Sequence, residues 1–130
     1  MRRATICGVA AAVTAAGVAG AGAGAVAQAG GHAAATTLRV KADPDGAPRF
    51  TKKRLRAAPG RVTIRMKNPR GSGRPHAVSI RGNGVDKDGA TVRPGGRSTV
   101  SARLRAGRYT FYCPVPGHEA GGMKGRLRVR

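Results

Sequence analysis

Apolar and polar residues alternate along much of the chain. In Val62-Thr-Ile64-Arg-Met66-Lys67 every second side chain is apolar. The same beat returns in His76-Ala-Val78-Ser-Ile80-Arg81, in Val100-Ser-Ala102-Arg-Leu104-Arg105 and in Arg126-Leu127-Arg-Val129-Arg130. Successive side chains of a strand point to opposite faces, so period two predicts half-buried β-strands. Weaker strand patterns cover 38–41 and 50–56. Breakers separate the segments: Pro44-Asp45-Gly46, Ala58-Pro59-Gly60, Asn68-Pro69-Arg70-Gly71, Gly82-Asn83-Gly84, Pro94-Gly95-Gly96 and Ala106-Gly107. No segment holds a helical apolar stripe. Seven or eight short strands with turns between them predict an all-β domain, an antiparallel sandwich of two sheets.

The same phase locates the charge. Arg61, Arg65, Lys67, Arg81, Arg103, Arg105, Arg126, Arg128 and Arg130 all fall on outward positions. The chain has 25 basic residues against 5 acidic ones, a formal net charge of +20. Such a surface attracts acidic proteins, anionic lipid or cell-wall polyanions. Nucleic acid is not an expected partner. The only aromatic residues are Phe50, Tyr109, Phe111 and Tyr112, three of them beside one cysteine, so no stacking platform is evident.

The amino-terminal region reads as an export signal. Met1-Arg2-Arg3 is a short basic start, and the uncharged Ala/Gly/Val/Thr run of 4–27 ends in small-residue sites at Ala25-Val26-Ala27 and Ala27-Gln28-Ala29. Its scarcity of Leu and Ile argues against a retained membrane helix. The paired arginines alone do not assign twin-arginine export, and Cys7 lacks a lipid-attachment context. The expected organisation is a leader over 1–29, a linker over 30–37 and one domain over 38–130. The protein is expected to be secreted, periplasmic or held at the cell surface, as a monomer. Cleavage after Ala29 would expose Gly30-Gly31-His32, whose amine, amides and imidazole suit square-planar Cu(II) or Ni(II).

The exported chain keeps a single cysteine, Cys113, and its neighbours point to a metal. Tyr109-Thr-Phe-Tyr-Cys113-Pro-Val-Pro-Gly-His118-Glu-Ala-Gly-Gly-Met123 sets a thiol, an imidazole and a thioether at intervals of five residues. A second imidazole, His76, lies upstream after Pro75. Two His, one Cys and one Met form the donor set of one-electron copper sites. Tyr109, Phe111 and Cys113 share a strand face, and His76 is in phase with Val78 and Ile80. Both donors are thus expected at one end of the sandwich, between the sheets. Zinc takes Cys and His but has little use for Met. A binuclear copper centre needs a second loop cysteine, and a multicopper oxidase needs more histidines than this chain contains.

The loop from Tyr109 to Gly125 resembles the ligand loop of the cupredoxins, the small blue copper proteins. Pro75-His76 resembles the upstream motif of plastocyanins, the Cys-x4-His-x4-Met spacing that of sulfocyanin-like members, and Pro116-Gly117-His118 that of azurin and auracyanin. The resemblance implies a Greek-key sandwich with one type 1 copper, His76, Cys113 and His118 as equatorial ligands and Met123 as the weak axial one. Family members often carry Asn after the first His, tying the two ligand loops together. Ala77 stands there in this chain. Its N–H remains a donor for the sulfur, and Ser72 or Asn68 could replace the tie.

Three functions compete. The first is an electron carrier without enzymatic turnover, with His118 as the exit, docking acidic redox partners through Arg74, Arg93 and Lys124. The second is copper storage or delivery, and the third a basic adhesion module for polyanions. No nucleophile–base pair or open metal triad marks a catalytic pocket. Glu119 reads as an exposed loop carboxylate.

Overall fold

The computed structural model describes residues 34–130. The leader, the start of the linker and Gly30-Gly31-His32 lie outside the described residues. Eight strands follow in order: β1 (Ala34–Lys41), β2 (Arg54–Ala57), β3 (Gly60–Lys67), β4 (Ser79–Gly82), β5 (Val85–Asp88), β6 (Arg97–Leu104), β7 (Gly107–Tyr112) and β8 (Lys124–Val129). The helical content among the described residues is one 3₁₀ turn, Arg70–Ser72. β1 starts at Ala34, so residues 34–37, read from sequence as linker, belong to a strand.

The strands form two sheets, ordered β1-β3-β6 and β2-β8-β7-β4-β5. The chain crosses from one sheet to the other after β1 and back after β2. β1 and β3 therefore run the same way, and so do β2 and β8. These two parallel pairs correct the expectation of a wholly antiparallel sandwich. The remaining pairs are antiparallel.

Alternation sets burial strand by strand. β6 and β8 alternate strictly between exposed and buried positions. Val62, Ile64, Met66, Ile80, Phe111 and Leu127 meet in the core. Phe50 and Phe111 lie with ring centroids 5.4 Å apart, a tilted packing that aromatic quadrupoles favour. Phe111 occupies the space above Gly125, where an added Cβ would sit 2.2 Å from its ring. The Tyr109 hydroxyl donates to the Arg105 carbonyl at 2.9 Å and pins the β6–β7 corner.

β5 escaped the sequence reading because Val85-Asp-Lys-Asp has no apolar alternation. Its signal lay in the turn. Gly82 pairs with Val85, leaving Asn83-Gly84 as a two-residue loop with φ of 49° and 79°. Asn-Gly with both φ positive is the hairpin turn whose twist suits antiparallel strands.

Candidate metal centre

Cys113 follows β7 immediately, in phase with Tyr109 and Phe111, and is fully buried. The chain then makes a closed loop back to β8. The Cys113 N–H donates to the Met123 carbonyl and the Met123 N–H to the His118 carbonyl, each at 3.0 Å. Within the loop, His118 N–H bonds Val115 O and Gly121 N–H bonds Gly117 O, both at 3.0 Å. Gly117 and Gly122 hold φ of 81° and 109°, a region that L side chains rarely enter. Pro48 packs against Gly121, where a Cβ would lie 2.8 Å from its ring.

His76 reaches the same place from the other loop. The sequence placed it at the opening of a strand, but β4 begins at Ser79. His76 instead makes an isolated bridge with Val92, with N–H to O distances of 3.0 and 2.8 Å. The next amides leave the ladder too. Ala77 N–H points at Cys113 Sγ at 3.5 Å, and Val78 N–H at Ser98 Oγ at 3.2 Å. The Ala77 donor is thus where the sequence reading set it.

Three donor atoms converge. His76 Nδ1 lies 3.2 Å from His118 Nδ1, and Cys113 Sγ lies 3.6 Å from that same His118 nitrogen. The donor atoms of His76, Cys113 and His118 all fall within 4.8 Å of one another. Met123 is fully buried beside them, its backbone bonded to both Cys113 and His118. Two neutral imidazoles facing each other through Nδ1 fit either an N–H of one ring donating to the other or a cation held between two lone pairs. His76 Nε2 is buried without a partner.

Electrostatics agree with a ligand role. Burial lowers both imidazole pKa values, and nearby Arg74 lowers them further; for His76 the charge of His118 adds to this. Both rings are therefore held neutral, the form that binds metals. Burial raises the Cys113 thiol, opposed by the Ala77 and Val115 N–H groups. A soft cation would offset that burial cost by taking the thiolate. Soft sulfur together with imidazole fits copper.

Two ties differ from the sequence expectation. Asn68 Nδ2 donates to the carbonyls of Arg74 (2.8 Å) and Val92 (3.0 Å), and Ser72 Oγ donates to Asn68 Oδ1. This network braces the His76 loop internally and does not replace the missing Asn side-chain tie to the Cys113 loop. Glu119, read as an exposed carboxylate, instead pairs with both terminal nitrogens of Arg81. That tie joins β4 to the ligand loop. No motif announced it, because the two residues meet only through the folded sheet.

Comparison with known proteins agrees with this geometry. Residues 35–130 match the family model for copper binding proteins of the plastocyanin/azurin family. The chain belongs to that family, and its cofactor is copper. Among solved structures, auracyanin B is similar at 24% identity and a TM-score of 0.65, over 75% of this chain and 90% of that one. Reduced auracyanin from Roseiflexus castenholzii is 25% identical with a TM-score of 0.61, over 73% and 97%. A copper nitrite reductase from Nitrosomonas europaea shares the fold at 20% identity and a TM-score of 0.61, over 74% of this chain but 41% of that one. No curated protein sequence matches the chain. Among the described residues, no helix is long and apolar enough to cross a membrane.

Proposed function

We propose that this protein is an exported carrier of single electrons, with copper held by His76, Cys113, His118 and, weakly, Met123. The observation that carries the reading is the convergence of two imidazole Nδ1 atoms and one thiol at the end of the sandwich, within 4.8 Å of one another. Copper supplies a one-electron couple when bound. The residues supply rigidity. Hydrogen bonds fix both ligand loops, so the donors keep their places in either oxidation state.

Burial separates the carrier from the delivery reading. Cys113, His76 and Met123 are fully shielded, so an acceptor protein has no exposed sulfur on which to begin ligand exchange. His118 alone is half-exposed. Around it lie Pro114, Val115, Pro116, Ala120, Gly121 and Gly122, small or apolar side chains that let a partner approach closely. Arg74, Arg93 and Lys124 are exposed and suit an acidic redox partner, which they would steer and release quickly. The protein acts as a monomer without turnover of its own. The leader over 1–29, followed by a domain that begins by residue 38, supports export to the periplasm, cell surface or medium.

The test is an optical and spin-resonance spectrum of the copper-loaded protein. An intense band near about 600 nm, from thiolate-to-copper charge transfer, is expected, reversible on reduction and lost in Cys113→Ser. Colourless Cu(I) binding that passes readily to a chelator would replace the carrier with the delivery reading.

A further inference from the structure

The outer face of the three-stranded sheet carries cations in register. Arg39 stands opposite Arg65 and Arg61 opposite Arg103, while Lys41, Lys67 and Arg97 form a row across all three strands. All seven are exposed. β1, β3 and β6 contain no acidic residue, and neither ion pair among the described residues involves these seven. Like charges directly opposite each other destabilise a sheet. Here the repulsion recurs in three rows without a neutralising group.

The face is also shaped to receive something. Thr51 and Lys52 flank a groove over Arg39, Lys41, Arg65, Lys67 and Arg97. The hydroxyls of Thr63 and Ser101 meet at 2.7 Å in the neighbouring row. The opposite sheet has a groove and a row of arginines of its own, Arg56, Arg128 and Arg108, and differs in the acids it carries. Its Arg54, Arg56, Arg108, Arg126 and Arg128 share their sheet with Asp86 and Asp88 of β5 and with the Arg81–Glu119 pair.

We propose that the outer face of the three-stranded sheet binds a linear polyanion of phosphodiester-linked polyols. Guanidinium forks match phosphate oxygens two at a time, which favours phosphate over a diffuse negative surface. Alternate residues of a strand recur every 6.7 Å or so, so a chain with one charge per repeat can follow successive rows. No aromatic side chain lies on the face, which leaves nucleic-acid bases nothing to stack on. Its only apolar outward residue is Ala35, so nothing enters a lipid layer. The metal cluster lies in the loops beyond β7 and before β4, not on this face. Binding therefore leaves His118 open to redox partners, and the inference stands independently of the electron-carrier reading.

The copper-loaded protein is titrated with poly(glycerol phosphate) at several salt concentrations. The Arg39→Gln/Arg65→Gln/Lys67→Gln variant is compared with Arg54→Gln/Arg126→Gln/Arg128→Gln, which removes the same charge from the other sheet. The first is expected to lose about tenfold or more in affinity and to flatten the log K against log salt slope by about 2, at about 0.7 per lost contact; the second is expected to lose under about threefold. Equal losses would mean diffuse attraction and overturn the assignment. Tighter binding to anionic phospholipid vesicles, to oligothymidylate or to polyglutamate of matched charge would overturn the choice of partner. An unchanged visible copper band in both variants shows that the fold is intact.

Discussion

The Glu119 carboxylate is gripped by both terminal nitrogens of the Arg81 guanidinium, one of them at 2.9 Å. Glu119 follows His118 directly, and Arg81 lies on β4, so the pair links the half-exposed ligand to a strand of the sheet. Arg81 also lies over the Tyr112 ring at 4.4 Å, adjacent to Cys113. In this chain, where Ala77 offers no side-chain tie, the pair braces the ligand loop from outside.

Arg81→Gln and Glu119→Gln should therefore separate stability from site geometry. The side chains are 45% and 29% exposed, so solvent screens the pair and each change should cost no more than about 1 kcal/mol in urea unfolding. The visible and spin-resonance spectra of the copper form should shift all the same. Arg81→Lys keeps the charge but loses the fork, and should shift them too. Unmoved spectra in all three variants would reduce the pair to an ordinary surface contact.

The N–H of Ala77 aims at the Cys113 sulfur at 3.5 Å. A donor to the sulfur withdraws electron density that would otherwise stabilise oxidised copper. Ala77→Pro removes the donor and should lower the reduction potential, by about 60 mV if the bond is worth one tenfold factor. Voltammetry of the copper-loaded variant decides; a potential that stays or rises would assign the tuning elsewhere.

Gly125 marks where β8 makes room for Phe111. A Cβ there would meet the ring at 2.2 and 2.5 Å and the Lys53 carbonyl at 2.7 Å. Gly125→Ala should destabilise the fold by about 1–3 kcal/mol, the usual cost of overpacking. Phe111→Leu in the same chain should recover part of that loss. Chemical unfolding of the single and double variants measures both.

Asp43 gives the domain an acid-sensitive contact. Its carboxylate accepts from Arg49 Nε at 2.5 Å and from the Asp45 N–H at 2.9 Å. The Arg49 hydrogen bond, with the Asp45 amide behind it, holds the Asp43 pKa below its ordinary value. A lowered folded pKa stabilises above the unfolded value of about 3.9, and the benefit fades as pH falls through the folded one. Asp43→Asn should therefore be less stable than the parent at pH 7. The gap in urea midpoint should close as pH falls below about 4; a gap that persists in acid would point to shape rather than charge.

Sequence reading and structure part company where backbone geometry carries the information. The alternation in 62–67, 100–105 and 126–130 gave strands and their faces, because every second side chain there has one destination. Cys113, His118 and Met123 were legible as a set because one short loop contains them. His76 was legible by its phase with Val78 and Ile80 and by the resemblance carried by Pro75-His76, and its bridge to Val92 was not. Parallel pairing of β1 with β3 follows from crossings between sheets, which leave no trace in a local pattern. β5 lacks an apolar face, and the Arg81–Glu119 tie joins residues 38 apart.

β8 is the last of the eight strands, yet it sits inside its sheet, between β2 and β7. A chain emerging from the ribosome holds that slot open until the residues of β8 are free. Met123, at the threshold of the missing strand, has nowhere to settle before then. The four donors can come together only once β8 has emerged and paired with both neighbours, so the ion should be acquired after that step and not before it.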